Sequence, residues 1–220
     1  MAFILNIETA TKNCSVSLAK EGNTIALAEI SGQGYSHAEK LHVFIEDVIR
    51  QEGIKFYDLQ AVAVSKGPGS YTGLRIGVSA AKGLCYALGI PLIAVDTLEI
   101  LARQLAITES GVILPMIDAR RMEVYNAVFD KNFLKIEDTA ATIMTEDSFK
   151  HINDTIHLLG DGILKCRDIL TDRKFIFHEY IVYPSAKEMS VLSYNKLKIS
   201  DIEDVAYFEP FYLKDFILGR

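Results

Sequence analysis

Long hydrophobic runs, paired cysteines and an excess of positive charge are all missing from this sequence. The longest apolar stretches, Ile90 to Val95 and Gly111 to Ile117, are far too short to cross a bilayer, so no membrane partner is expected. Cys14, Cys85 and Cys166 are odd in number, widely spaced and without a CxxC pair, which argues against a disulfide framework and a zinc knuckle. Residues 1–103 carry nine Lys/Arg against ten Asp/Glu, and residues 104–220 carry fourteen against nineteen. Neither half has the positive excess that neutralising phosphates requires, so a chain that grips RNA alone is disfavoured. Met1 leads straight into the strand-like Phe3-Ile4-Leu5-Asn6-Ile7 without a basic n-region or a cleavage site, and the expected location is cytoplasmic. What remains is ordinary globular composition, 50% hydrophobic and 24% charged over 220 residues. A chain of that length buries roughly 70% of its unfolded surface, enough for one large domain or two lobes.

The patterning predicts strands first. Phe3 to Glu8, Cys14 to Lys20 and Thr24 to Ile30 alternate and are joined by short turns, so they must be antiparallel neighbours. A helix follows, with Ser36 and Glu39 at capping-box spacing and Leu41, Phe44, Ile45, Val48 and Ile49 on one apolar face. Gln60 to Ser65 reads as a strand, Thr72 to Leu88 as a helix of small and apolar residues, Ile90 to Val95 as a strand and Thr97 to Ala106 as a helix. Gly73, Gly77 and Ala81 lie four apart on one side of the second helix. Glycine there costs about 1 kcal/mol relative to alanine, so another backbone is expected to approach closely. The second half repeats the outline: Val112 to Asp118, Glu123 to Phe129 and Phe133 to Glu137 as strands. Ile156 to Leu159, Gly162 to Leu170, Phe175 to Phe177 and Ser185 to Lys198 then alternate strand and helix. Three antiparallel strands followed by α/β units, twice over, imply an α/β protein of two related lobes facing a cleft, 1–105 and 106–220, each with a mixed sheet flanked by helices.

The chemistry-bearing motifs are few. Gly67-Pro68-Gly69-Ser70-Tyr71-Thr72-Gly73 follows a strand and opens a helix, a setting that favours anions. It lacks the Gly-Lys-Ser/Thr of a Walker A loop and the third glycine of the dinucleotide fingerprint, and a tight turn with Thr72 as N-cap is the more economical reading. Asn6-Ile7-Glu8-Thr9-Ala10-Thr11 resembles the first phosphate loop of actin-like ATPases and sugar kinases, with Ala10 in place of a more permissive glycine. Glu8, Thr9, Gly67, Gly69 and Ser70 are therefore candidates for a weak ATP or ADP contact, and an ordinary turn carboxylate is an equal reading of Glu8. His37 and His42 are spaced i, i+5, about 140° apart on a helix, and Leu41 occupies the place of a second ligand, so no metal site is expected. His151, His157 and His178 show no ligand spacing. Ser79-Ala80-Ala81-Lys82 matches SxxK without its companion motifs and is discounted. Asp118-Ala119-Arg120-Arg121 reads as a salt-bridged turn at a strand end, and the partners of Arg75, Arg120 and Arg121 stay open.

Taken in order, these segments resemble one family. Asn6 to Thr11 with Cys14-Ser15-Val16, Ser36-His37-Ala38-Glu39-Lys40-Leu41, the loop Gly67 to Gly77, Ala81-Lys82-Gly83-Leu84, Asp118-Ala119-Arg120-Arg121, Gly160-Asp161-Gly162, Tyr183-Pro184-Ser185-Ala186 and Pro210-Phe211-Tyr212-Leu213 are similar to the TsaB (YeaZ) family. The resemblance implies an ASKHA fold, actin-like and ribonuclease H-like. It implies a non-catalytic partner that dimerises with and activates a TsaD-like transferase in tRNA threonylcarbamoyladenosine biosynthesis. A TsaE-like ATPase is a further implied partner, the chain alone forms a homodimer, and tRNA is reached only through the complex. No cofactor is required. TsaD carries its metal on a helical HxxxH that this chain lacks at Leu41. Glu8 stands where the family usually has Asp, and Lys214 where it usually has Arg. The family packs its two N-terminal helices against those of its partner, which makes Leu41, Phe44, Val48, Gly73, Gly77 and Ala81 the expected interface. On that expectation Gly77→Leu abolishes partner binding and leaves the monomer folded. The alternative is a stand-alone actin-fold ATPase, kinase or metallopeptidase-like enzyme.

Overall fold

A computed structural model describes residues 2–32 and 37–214 of the chain. Strands β1 (Phe3–Glu8), β2 (Asn13–Lys20) and β3 (Asn23–Ser31) form an antiparallel meander. Its second turn is made by Glu21 and Gly22, both left-handed with φ of 53° and 83°. Helix α1 (His37–Gln51) leads to β4 (Leu59–Gly67), which lies parallel to β1. Helix α2 (Tyr71–Leu88) then leads to β5 (Leu92–Asp96), parallel to β4. After a short helix α3 (Thr97–Ala102) the pattern recurs. Strands β6 (Val112–Asp118), β7 (Glu123–Phe129) and β8 (Lys135–Ile143) are antiparallel, and β9 (Ile156–Leu159) and β10 (Phe175–Phe177) add in parallel beyond β6. The sheet orders, β3-β2-β1-β4-β5 and β8-β7-β6-β9-β10, are one topology used twice. The expected two related lobes with mixed sheets are present.

Alternation along the strands decides what covers each face. In the first lobe Leu5, Ile7, Val16 and Leu18 point to one side, against Leu41, Ile45 and Val48 of α1 and Val78 and Ala81 of α2. Ile4, Ala19, Ala61, Ala63, Ile93 and Val95 point to the other side. They are covered by Ala186, Met189 and Leu192 of α4 (Ala186–Lys198), a helix that belongs by sequence to the second half. Each such fully buried Leu, Ile or Val side chain contributes about 1.5–3 kcal/mol. Hydroxyls dock the start of α4. Ser17 donates to the Ala186 carbonyl at 2.7 Å, and Ser15 accepts from the Ala186 N–H at 2.9 Å. The α4 cap Ser185 donates to Glu29 at 2.7 Å.

A cut between residues 105 and 106 separates the two sheets but not the helices. Leu98, Leu101 and Ala102 of α3 pack with Ile113, Ile117 and Phe129 of the second lobe, while α4 returns to the first. The segment after α4 also returns: Glu203 N–H bonds the Leu92 carbonyl and Phe211 N–H bonds the Lys66 carbonyl.

Several boundaries differ from expectation. The cap of α2 is Ser70, not Thr72: its hydroxyl accepts from Gly73 N–H at 3.3 Å, so the helix begins one residue earlier. Helix α3 stops at Ala102 rather than Ala106. Strand β4 runs to Gly67, and the third strand of the second lobe is Lys135–Ile143 rather than 133–137. Residues 162–170 do not form the expected α-helix. Their regular part is one 3-10 turn, Leu164–Cys166, that tucks Ile163, Cys166 and Leu170 into the core. Ser36, read as the cap of α1, lies outside the described residues.

Candidate functional site

The end of β1 faces the loop that opens α2, and the two segments are locked together. Glu8 is completely buried. Its Oε1 accepts the Ala10 N–H at 2.6 Å, while among the described residues its Oε2 and the nearby Ser65 hydroxyl have no well-formed partner. Burial pushes its carboxyl up to about 7, partly offset by the Ala10 N–H. Thr9 donates through Oγ1 to the Gly73 carbonyl at 2.8 Å. A Cβ on Gly73 would collide with the Thr9 carbonyl oxygen, one on Gly77 with Thr9 Oγ1, and one on Gly69 with the Ala10 carbonyl oxygen. The Ser70 N–H bonds that same Ala10 carbonyl at 2.7 Å, and the Gly67 N–H bonds Thr97 Oγ1 at 3.0 Å.

The glycine stripe therefore does serve close backbone approach, but the backbone belongs to the same lobe. This corrects the expected interface. Leu41, Val48 and Ala81 are core residues, Gly73 and Gly77 are buried against Thr9, and Phe44 is half-buried against the same core. Gly77→Leu would drive a side chain into Thr9 and break the lobe itself. Of the residues expected to make a weak nucleotide contact, Glu8, Thr9 and Gly67 are buried behind the loop. Of the five candidates, only Gly69 and Ser70 reach the space between the lobes.

That space is a cleft of about 710 Å³, floored by Ala10, Thr11 and Gly69 to Thr72 and walled by the β6–β7 turn and the chain from Phe211 to Lys214. Asp118 pairs with Lys165 rather than with the neighbouring arginines, Lys214 pairs with Glu123, and Asp161 accepts the Asp118 N–H at 2.9 Å. Burial raises the Asp161 carboxyl above its usual range, and the Asp118 N–H bond opposes that. The Arg75 Nε–H donates to the Tyr212 hydroxyl at 3.1 Å, and its guanidinium lies 4.1 Å from the Tyr71 ring centre. Lys82, the lysine of the discounted SxxK, donates to the Ala206 and Phe208 carbonyls and anchors the returning segment.

A second concavity, about 740 Å³, lies on the outward face of α1 and α2, where Ala38, His42, Ile76, Ala80, Gly83 and Leu84 meet. A Cβ on Gly83 would meet open space, unlike those on Gly73 and Gly77. His37 donates from Nε2 to the Thr11 carbonyl at 2.7 Å, and His42 is exposed. Among the described residues no three His, Cys, Asp or Glu side chains converge as a metal set. His157 on β9 and His178, the residue that follows β10, are unremarkable in the sequence and sit 2.9 Å apart, Nδ1 to Nε2. Only the register of β9 and β10 brings them together, and sequence spacing does not encode it.

Two copies of one mixed five-stranded sheet, facing each other across a cleft, define a protein of the actin-like ASKHA class. YeaZ from Pseudomonas aeruginosa superposes with a TM-score of 0.79 at 24% identity, over 97% of this chain and 100% of that one. The family model TsaD, described as tRNA N6-adenosine threonylcarbamoyltransferase, matches residues 33–215. Proteins named tRNA threonylcarbamoyladenosine biosynthesis protein TsaB are similar over most of their length. The one from Escherichia coli K12 is 29% identical, covering 96% of this chain and 94% of that protein. The one from Buchnera aphidicola of Schizaphis graminum is 31% identical, covering 84% and 90%. The chain belongs to the TsaB (YeaZ) family. Among the described residues no helix is long and apolar enough to cross a membrane.

Proposed function

We propose that this chain is a non-catalytic, cytoplasmic subunit that dimerises with and activates a TsaD-like transferase in tRNA threonylcarbamoyladenosine biosynthesis. The observation that supports it is the outward face of α1 and α2. There Ile76, Ala80, Gly83 and Leu84 line a groove together with Ala38 of α1, and Gly83 leaves room for another backbone. The equivalent helices of a paralogue are the occupant that fits, with a second copy of this chain taking that place when it is alone. The interface thus moves from the buried stripe to the opposite side of the same helices. A TsaE-like ATPase joins the assembly, and tRNA is met only within it, in keeping with the acidic charge of both halves. No cofactor is needed for this role, because the strand-end turn and glycine loop spend many of their donors on each other.

Light scattering after size exclusion tests the reading. The chain alone should run as a homodimer and convert to a one-to-one heterodimer with the TsaD-like protein of the same organism. Ala80→Arg should leave it folded, monomeric and at least about tenfold weaker for the partner. Two unchanged species in the mixture would remove the basis of the proposal. ATP or peptide turnover by the purified chain would favour the enzyme alternative.

A further inference from the structure

Residues 203–214 run back from α4 over the first lobe and end on the second. Glu203 N–H bonds the Leu92 carbonyl, Lys82 holds the Ala206 and Phe208 carbonyls, and Phe211 N–H bonds the Lys66 carbonyl at 2.7 Å. A Cβ on Gly67 would meet the Phe211 carbonyl oxygen at 2.7 Å, so the segment lies directly on the end of β4. Three residues further on, Lys214 pairs with Glu123 at the start of β7. The segment is therefore a strap that joins the two lobes along one wall of the cleft. Its middle is held from α2. Tyr212 accepts the Arg75 Nε–H at 3.1 Å, and its ring lies 4.9 Å from that of Tyr71. The Arg75 guanidinium sits 4.1 Å from the Tyr71 ring centre and 6.0 Å from that of Tyr212. Tyr71 and Arg75 also line the groove on the outward face of α1 and α2. One exposed arginine thus belongs to both the groove and the strap.

We propose that Arg75 is a latch: a carboxylate of the partner seated in the α1–α2 groove takes its guanidinium from Tyr212, and the strap between the lobes loosens. The inference rests on the reading of that groove as the partner surface. Among the described residues that line the groove, Arg75 is the one permanent charge, so an acidic group is its complement. The Tyr212 hydroxyl is a neutral acceptor that uses one N–H of the guanidinium. A carboxylate accepts two in parallel, as charge-assisted bonds about twice as strong. Glu209 of the strap favours the charged form of Arg75, yet among the described residues the two form no ion pair. Beyond Phe208 the other polar holds on the strap are one backbone bond and the partly exposed Lys214–Glu123 pair, a type of contact that contributes little in water. Linkage makes the effect reciprocal: a strap already released binds the partner more tightly.

Hydrogen exchange at the Phe211 amide, read by NMR in the full chain, reports the state of the strap. The monomeric Ala80→Arg chain supplies the empty groove. In that background Tyr212→Phe keeps the ring, removes the acceptor and should speed Phe211 exchange at least about tenfold, with the β1 amides unchanged as a control on the fold. Saturating the wild-type chain with the TsaD-like protein should speed it by a similar factor over the empty-groove chain. Partner affinities should split by sign. Arg75→Met removes the contact with the carboxylate and should weaken binding at least about fivefold, whereas Tyr212→Phe removes the competitor and should strengthen it about two- to threefold. A role in packing alone would weaken both. Phe211 exchange that is equal with the groove empty and filled overturns the proposal, and so does a Tyr212→Phe chain that binds no more tightly than wild type. A wild-type chain that does not bind the TsaD-like protein removes the functional reading and the proposal together, an outcome distinct from binding that leaves the strap unmoved.

Discussion

Glu8 ends β1 and Asp118 ends β6, equivalent places in two sheets of one topology, yet their surroundings are opposite. Glu8 is sealed in the first lobe and, among the described residues, forms no ion pair, whereas Asp118 is half-exposed and held by Lys165. The loops that face them diverge in the same sense. After β4, Gly67-Pro68-Gly69 presses on the Ala10 carbonyl and launches an 18-residue helix. After β9, Gly160-Asp161-Gly162 approaches the Met116 carbonyl and yields only a 3-10 turn. One duplicated device has become internal packing in the first lobe and a charged rim in the second. Closure of the strand-end turn, not the sheet order, separates the two lobes.

The sharpest way to break this comparison is to add one methyl group to each loop. Gly69→Ala places Cβ inside contact distance of backbone that cannot move and should cost at least about 3 kcal/mol in urea unfolding. Gly162→Ala meets the Met116 carbonyl oxygen at 3.0 Å and should cost only about 1 kcal/mol. Equal costs would mean that the two turns are equally closed.

The strand-end carboxylates should differ next in their pH dependence. The Glu8 carboxyl lies near 4.5 when unfolded and about 7 when folded, so between these values the native state holds a proton that the unfolded chain has lost. Stability from this group is complete below pH 4.5 and falls as pH rises to about 7, by on the order of 3 kcal/mol. Glu8→Gln should flatten that fall in unfolding curves taken from pH 4.5 to 8. A wild-type profile that rises across this window would contradict the assigned burial. Relief of the left-handed arginines is smaller: Arg120→Gly/Arg121→Gly should gain about 1 kcal/mol, read as a raised Tm. The least effect belongs to the His157–His178 pair. Burial lowers both imidazoles, and each lowers stability as pH falls below 6.5. His157→Gln should soften that acid loss, seen in Tm measured between pH 5 and 7.

How much of this was legible depended on whether a pattern records its own neighbour. The apolar face of α1 appears in the sequence because one helix side meets the core and the other meets water. The duplicated strand order follows from short turns, which permit only antiparallel pairing. Gly73 and Gly77 announce a close approach without naming Thr9, which is distant in sequence and arrives only through the β1–β4 pairing. The stripe was therefore open to misreading as an outer surface. Residues 162–170 carry buried Ile163, Cys166 and Leu170 at spacings that suit a helix, but the close approach of Gly160 and Gly162 to Met116 holds the backbone in a tighter turn. Helix α4 is weakly patterned because its buried side mixes Met189 with Ser190 and Ser193. Arg120 and Arg121 were visible as a motif, but their left-handed backbone is set by the β6–β7 turn and leaves no mark on the residue types.

The return of α4 to the first lobe also sets an order of events during synthesis. A ribosome releases β1, β4 and β5 long before α4, so Ile4, Ala61, Ala63, Ile93 and Val95 emerge without their cover. The lobe translated first is thus the lobe completed last. Until residues 186–198 have left the exit tunnel, a nascent chain carries an apolar sheet face that chaperones can recognise.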